Sequence, residues 1–191
     1  VIISGGGLSG SLMALSLANL AKADGGLLSI AIVETNELIQ QKDSTPLFDD
    51  RVLALSHGSA AYLEKMAVWQ HLIHDASAIE KIDISDRGHY GKARLEAQEH
   101  GVSALGYVIE MALIGKGLLK ELANKRNIRW FSPDSISDIN WQPSDEANKV
   151  QVELSSGQSL RANLLLACDG ANSPCRQLAG IKTSHSDYQQ M

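Results

Sequence analysis

A chain of 191 residues, 44% apolar and 20% charged with a net charge of −5, holds one well-filled core or one and a half domains of ordinary globular composition. No lysine or arginine cluster appears in it, which disfavours nucleic acid as a partner. Its apolar stretches are broken by glycine or polar residues, so neither a transmembrane helix nor a signal peptide is expected.

Val1-Ile2-Ile3-Ser4 reads as a buried strand that turns at Gly5-Gly6-Gly7 into a helix over 8–21. Gly5, Gly7 and Gly10 stand at the spacing of a dinucleotide-binding turn. The first permits the tight turn, the second lets backbone approach a pyrophosphate, and the third lets helix and strand pack closely. Amides at the helix start then face the phosphates. Leu8, Leu12, Leu15 and Leu17, mixed with Ser11, Ala14 and Ala18, predict an amphipathic helix that stops at Gly25-Gly26. The apolar run 27–33 predicts a second strand ending at Glu34. An acidic residue at that offset accepts a hydrogen bond from an adenosine ribose, and its charge favours FAD or NAD over NADP.

Residues 36–50 are polar, contain Pro46 and predict a loop. A helix is expected from Ser56, capped by Ser56 or Ser59, with Ala60, Leu63, Met66 and Ala67 on its inner face and a short helical piece over 68–73. Residues 79–86 and 92–97 predict two antiparallel strands around the turn 87–91, inserted into the βα alternation and opening a second sheet. Gly106-Tyr107-Val108-Ile109 is a short apolar segment, followed by a helix over 111–125 with Leu113, Leu118, Leu119 and Leu122 inward. A third strand of the main sheet is expected over 128–131. A meander is expected over 136–141, 150–154 and 159–166, with turns at Pro143-Ser144-Asp145 and Ser155-Ser156-Gly157. His71 and His74 suit packing or surface positions. Cys168 and Cys175 support neither a metal site nor a disulfide framework, and a reducing cytoplasm is expected.

A buried strand over 164–167 then delivers Asp169-Gly170 to a turn, with Ser173 as helix cap and Pro174 in the first helical position. The Asp169 carboxylate can accept sugar hydroxyls, and Arg176 can pair with phosphate. By spacing alone, a capped structural turn with a solvated arginine is an equal alternative.

Taken together, Gly5-x-Gly7-x-x-Gly10, Glu34, Asp49-Asp50-Arg51 and Asp169-Gly170-x-x-Ser173-x-x-Arg176 resemble group A flavoprotein aromatic hydroxylases over essentially the whole chain. Val68-Trp69-Gln70, Ser85-Asp86-Arg87-Gly88-His89 and Gly106-Tyr107-Val108-Ile109-Glu110 are similar to the ubiquinone-biosynthesis branch, the 2-polyprenyl-6-methoxyphenol hydroxylases in particular. The resemblance implies an α/β fold: a Rossmann-like FAD-binding βαβ domain with a parallel sheet, a β-meander, and part of an inserted antiparallel substrate-domain sheet. It assigns 1–78 and 107–191 to FAD binding and 79–106 to the substrate side. It implies a monooxygenase that takes electrons from NAD(P)H, forms a flavin hydroperoxide with molecular oxygen and hydroxylates a polyprenylated phenol, with no side chain as nucleophile.

By the same resemblance Gly5, Gly7 and Gly10 face the FAD pyrophosphate and Glu34 the ribose. Arg51 lies near the FAD phosphate and flavin, Glu110 on the flavin side, and Asp169, Gly170 and Arg176 form a fingerprint for FAD and the visiting nicotinamide. Arg87 and His89 are expected to be turn residues. Other ubiquinone-biosynthesis enzymes are expected partners, in the cytoplasm or peripheral to the inner membrane. Family members are about twice as long and the chain starts with Val1 inside a strand, so an N-terminal fragment without a complete active site is expected. A hydroxylase of a soluble aromatic and a non-catalytic nucleotide-binding or assembly module are the competing readings.

Overall fold

The computed structural model describes residues 1–38, 51–141, 149–184 and 186. It divides into two compact units, Val1–Ile39 with Lys125–Met191 and Gln40–Asn124.

The first unit is built on a four-stranded parallel sheet. Strand β1 (Ile2–Ser4) lies at its centre, between β2 (Ile30–Val33) and β12 (Leu165–Ala167), and β8 (Ile128–Phe131) pairs with β2 to complete the order β12-β1-β2-β8. Side chains alternate across a strand. Ile2, Val33 and Phe131 therefore pack onto one face with Ile136, Ile139, Val150, Val152 and Leu154 of a meander. That meander is β9 (Ile136–Asn140), β10 (Val150–Leu154) and β11 (Ser159–Ala162), paired antiparallel. On the other face lies α1 (Leu8–Ala18).

The buried side of α1 is Gly10, Ser11, Ala14, Leu15 and Ala18, so small residues rather than a leucine stripe set how close it lies to the sheet. The helix stops at Asn19, short of residue 21, and Gly25-Gly26 serves a different turn: Lys22 and Gly26 bond across it, and Ala21 bridges Leu27. The expected strand over 159–166 is two elements. It leaves the meander after Ala162 and re-enters the parallel sheet as β12, where its burial is partial because it forms an edge. The expected turn at Pro143-Ser144-Asp145 and most of the loop over 36–50 lie outside the described residues.

The second unit holds a three-stranded antiparallel sheet, β3 (Val52–Ser56), β7 (Gly106–Glu110) and β4 (Ser77–Ile79), in the order β3-β7-β4. A separate ribbon pairs β5 (Lys81–Ser85) with β6 (Lys92–Glu96) around the expected turn. Helix α2 (His57–Lys65) is capped by Ser56, whose hydroxyl accepts the Ser59 amide at 3.1 Å. Ala60 and Leu63 are buried as expected. Ala67 is not on the inner face: it is exposed with φ of 59°, past the end of the helix. Helix α3 (Met111–Ala123) buries Ile114, Leu118 and Leu122, while Leu113 and Leu119 are only partly covered. It packs closely at Gly117, where an added Cβ would sit 3.2 Å from Val68 and 3.3 Å from Leu72.

Candidate functional site

In a parallel sheet all strands end on the same edge, and ligands bind beyond those carboxyl ends. Here three of the four strands deliver the singled-out residues to that edge: β1 is followed by Gly5, β2 by Glu34, and β12 by Cys168-Asp169. The register places Ser4 level with Val33 on one side and Ala167 on the other, so the three turns start at one height.

The glycine turn is tightly enclosed on one side and open on the other. Gly5 has φ of +93°, which favours glycine. A Cβ there would lie 2.5 Å from the Cys168 carbonyl oxygen and 3.0 Å from the Asp169 Cα. At Gly10 a Cβ would overlap the Gly5 carbonyl oxygen. At Gly7, the N-cap of α1, it would meet nothing within 4 Å, and no side chain caps the helix. The helix therefore presents amides and the positive end of its dipole toward open space.

Glu34 is 5% exposed. Its Oε2 accepts the Gly6 amide at 2.7 Å, and its Oε1 accepts the Asn36 backbone amide at 2.8 Å and side-chain Nδ2 at 2.9 Å. Each carboxylate oxygen offers two acceptor positions. Among the described residues Oε1 is filled, whereas Oε2 retains one. The six-membered ring of Trp130 covers Gly6, where a Cβ would fall 2.6 Å from it. The sequence assigns Gly6, Ser11, Asn36 and Trp130 no role in the site. The middle glycine of Gly5-Gly6-Gly7 was the one local signal, because the motif itself leaves that position free.

At the second turn Gly170 has φ of +85°, Ser173 caps α4 (Pro174–Leu178) by accepting the Arg176 amide at 3.0 Å, and Pro174 takes the first position. Asp169 Oδ2 accepts the Cys175 amide at 3.0 Å. Burial opposes its charge, but hydrogen bonds from the Ser173 hydroxyl, the Cys175 amide, its own amide and the Cys175 thiol together outweigh burial and hold the carboxyl below its ordinary value. Burial pushes the Cys175 thiol up to about 11, so it is an inert packing group. Among the described residues, Asp169 Oδ1 and Arg176 Nε are buried without a hydrogen-bond partner.

Arg51 and Glu110 are brought together in the other unit, at one end of the β3–β7 ladder: Val52 pairs with Glu110, and the Arg51 carbonyl accepts the Met111 amide at 2.8 Å. His89 bonds Asp86 at 2.8 Å in an exposed turn, and His71 bonds Glu121 at 2.7 Å between packed elements. No group of three metal-ligating side chains occurs among the described residues. Nor is any helix among them long and apolar enough to cross a membrane.

A parallel sheet with a glycine turn into a helix, an acidic residue ending the next strand and a meander on the opposite face defines a dinucleotide-binding unit of the Rossmann type. The chain belongs to the FAD binding domain family, whose model matches residues 1–191. It is 29% identical over 191 residues to an uncharacterized Synechocystis sp. protein, covering 100% of this chain and 43% of that one. To the mitochondrial ubiquinone biosynthesis monooxygenase COQ6 of Danio rerio it is 27% identical over 196 residues, covering 100% of this chain and 40% of that protein. Among solved structures it is similar to the p-nitrophenol 4-monooxygenase PnpA of Pseudomonas putida DLL-E4 (TM-score 0.69, 22% identity, 94% of this chain and 42% of that one). It is also similar to PqsL of Pseudomonas aeruginosa, a probable FAD-dependent monooxygenase (TM-score 0.69, 17% identity, 98% and 47%). At those identities the structural likeness carries the fold alone. The chain thus spans less than half the length of the relatives it matches, and the resemblance to flavoprotein hydroxylases read from the sequence is borne out.

Proposed function

We propose that this chain supplies the adenosine and pyrophosphate side of the FAD site in a flavin-dependent aromatic-ring monooxygenase. The observation that carries the reading is the meeting of its two motifs: the glycine turn lies against Cys168-Asp169 on one side and Glu34 on the other, with Gly7 open above them. FAD suits these residues chemically. The uncapped start of α1 suits a pyrophosphate, the remaining acceptor position on Glu34 suits a ribose hydroxyl, and the unpartnered Asp169 Oδ1 and Arg176 Nε suit polar groups of the cofactor.

Bound flavin supplies the electron transfer and oxygen activation of such a reaction. The contribution of these residues is to bind and orient. The amides of the turn neutralise phosphate charge, Glu34 fixes the ribose and disfavours a 2′-phosphate, and Asp169 holds α4 by its amide while offering its second oxygen to the cofactor. Gly5, Gly10 and Gly170 shape the backbone around these contacts. No side chain here acts as nucleophile. Arg51 and Glu110 are assigned to the phosphate and flavin sides of the cofactor by family resemblance; R51A and E110A each weakening FAD binding is the expected result. Residues 1–78 and 107–191 are assigned to the flavin side and 79–106 to the substrate side.

Similarity to mitochondrial ubiquinone biosynthesis monooxygenases supports a substrate from that biosynthesis; the motif resemblance read from the sequence assigns it a polyprenylated phenol, NAD(P)H as electron source, and a place at the surface of the inner membrane beside other enzymes of that biosynthesis. The test is made on the full-length protein. A flavin absorbance spectrum after purification, with NAD(P)H-dependent and oxygen-dependent hydroxylation of a prenylated phenol in preference to a soluble one, is the expected result. Hydroxylation of soluble phenols only overturns the substrate, and no flavin binding overturns the class.

A further inference from the structure

We propose that Ser11 is a positioning residue that aims the phosphate-facing amides of the glycine turn; this rests on the nucleotide reading above. Ser11 is fully buried, one residue past Gly10. Its hydroxyl donates to the Gly6 carbonyl at 2.6 Å, and its amide donates to the Gly7 carbonyl at 2.9 Å. A serine inside a helix ordinarily returns its hydroxyl to the carbonyl four residues back, as Ser16 does to Leu12 at 2.7 Å. Ser11 instead reaches five residues back, beyond the start of α1, to a carbonyl of the turn.

That choice fixes direction. In a planar trans peptide the N–H points opposite to the C=O. With the Gly6 and Gly7 carbonyls both drawn toward Ser11, the amides of Gly7 and Leu8 aim the other way. On the remaining side, the Gly5 amide is held by the Val33 carbonyl at 2.8 Å and the Gly6 amide by Glu34 at 2.7 Å. The turn is therefore tied down at the Gly5 and Gly6 amides and at the Gly6 and Gly7 carbonyls, and its open side is the one above Gly7. Donors fixed before an anion arrives bind it without the cost of ordering them.

The test is an NMR titration of the 191-residue chain with ADP and, separately, with adenosine, which lacks the phosphates. Ser11→Ala is expected to weaken ADP about fivefold to tenfold, the worth of one hydrogen bond, and to leave adenosine within about twofold. Ser16→Ala, which removes the back-bond to the Leu12 carbonyl within the body of α1, is expected to leave both ligands within about twofold. Ser11→Cys keeps a side-chain donor, weaker and slightly larger than the hydroxyl, and is expected to fall between the wild type and S11A. In the wild type the Gly7 amide resonance moves with ADP and not with adenosine. Equal weakening of both ligands, or unchanged ADP affinity in S11A, overturns the role of Ser11 and leaves the nucleotide reading standing. If S11A does not fold, S11C with wild-type ADP affinity, or a wild-type Gly7 amide that ignores bound ADP, overturns the role. A wild-type chain that binds no ADP overturns both.

Discussion

Gly7→Ala and Gly10→Ala are expected to separate binding from folding. At Gly10 an added Cβ would overlap the Gly5 carbonyl oxygen, lie 3.0 Å from its carbon and approach Cys168 Cβ to 3.4 Å. The nearest atoms are backbone, so α1 must move off β1. Alanine gains about 1 kcal/mol of helix propensity over glycine. Overpacking costs about 1–3 kcal/mol, and a rigid partner puts this site at the upper end, leaving a net loss of about 2 kcal/mol. In a protein of this size that lowers the melting temperature by about 4–8 °C. At Gly7 nothing lies within 4 Å, and φ of −61° with ψ of −169° is open to any residue. Loss of a favourable cap and reduced entropy of the unfolded chain oppose each other, so stability stays within about 0.5 kcal/mol. The methyl nonetheless occupies the side assigned to phosphate, and FAD affinity is expected to fall at least about tenfold, or about 1.4 kcal/mol. Thermal melts by circular dichroism and titrations by flavin fluorescence measure both. A G10A variant that melts with the wild type, or a G7A variant that binds FAD as tightly, refutes the reasoning.

Glu34→Gln turns an acceptor into a donor facing the Gly6 amide or the Asn36 donors, and is expected to cost about 1–3 kcal/mol in urea denaturation; unchanged stability contradicts that. Because the folded-state pKa of Asp169 is depressed, its stabilisation is present above the ordinary carboxylate value of about 3.9 and lost as pH falls through the lower folded value. The Cys175 amide resonance should stay fixed above about pH 5 and shift only in acid; a transition centred above 3.9 contradicts the assignment. The Cys175 thiol, raised to about 11 by burial, contributes stability that is intact below the ordinary thiol value of about 8.5 and lost as pH rises toward its folded value. Native protein should resist iodoacetamide at that residue at about pH 8, and rapid alkylation there would contradict its burial.

The features legible in the sequence are those written in short stretches. Gly5, Gly7 and Gly10 announce the turn, the run ending at Glu34 announces the second strand, and Ser173-Pro174 announces the start of α4, because each uses local backbone chemistry. What was missed depends on distant partners. Strand β3 has an alternating, half-exposed pattern, and its partner β7 lies some fifty residues on. Residues 159–166 read as one strand of the meander, and only the pairing of β12 with β1 across the whole chain breaks it in two. In α1 the expected Ser11, Ala14, Leu15 and Ala18 are buried with Gly10, whereas Leu8, Leu12 and Leu17 are only partly covered, because close approach to β1 selects small residues over a leucine stripe. Asn36 and Trp130 lie beside the turn only after folding, so no spacing rule names them.

The measurement that bears most directly on the central claim is an amide-resolved NMR titration of this chain with FAD. One saturating event that moves the resonances of residues 7–10, 34–36 and 169–176 together is the predicted result, because a single cofactor then touches both motifs. Binding that moves the glycine turn and leaves Asp169, Gly170 and Arg176 unmoved would contradict the account, since the second turn would then be a structural cap alone.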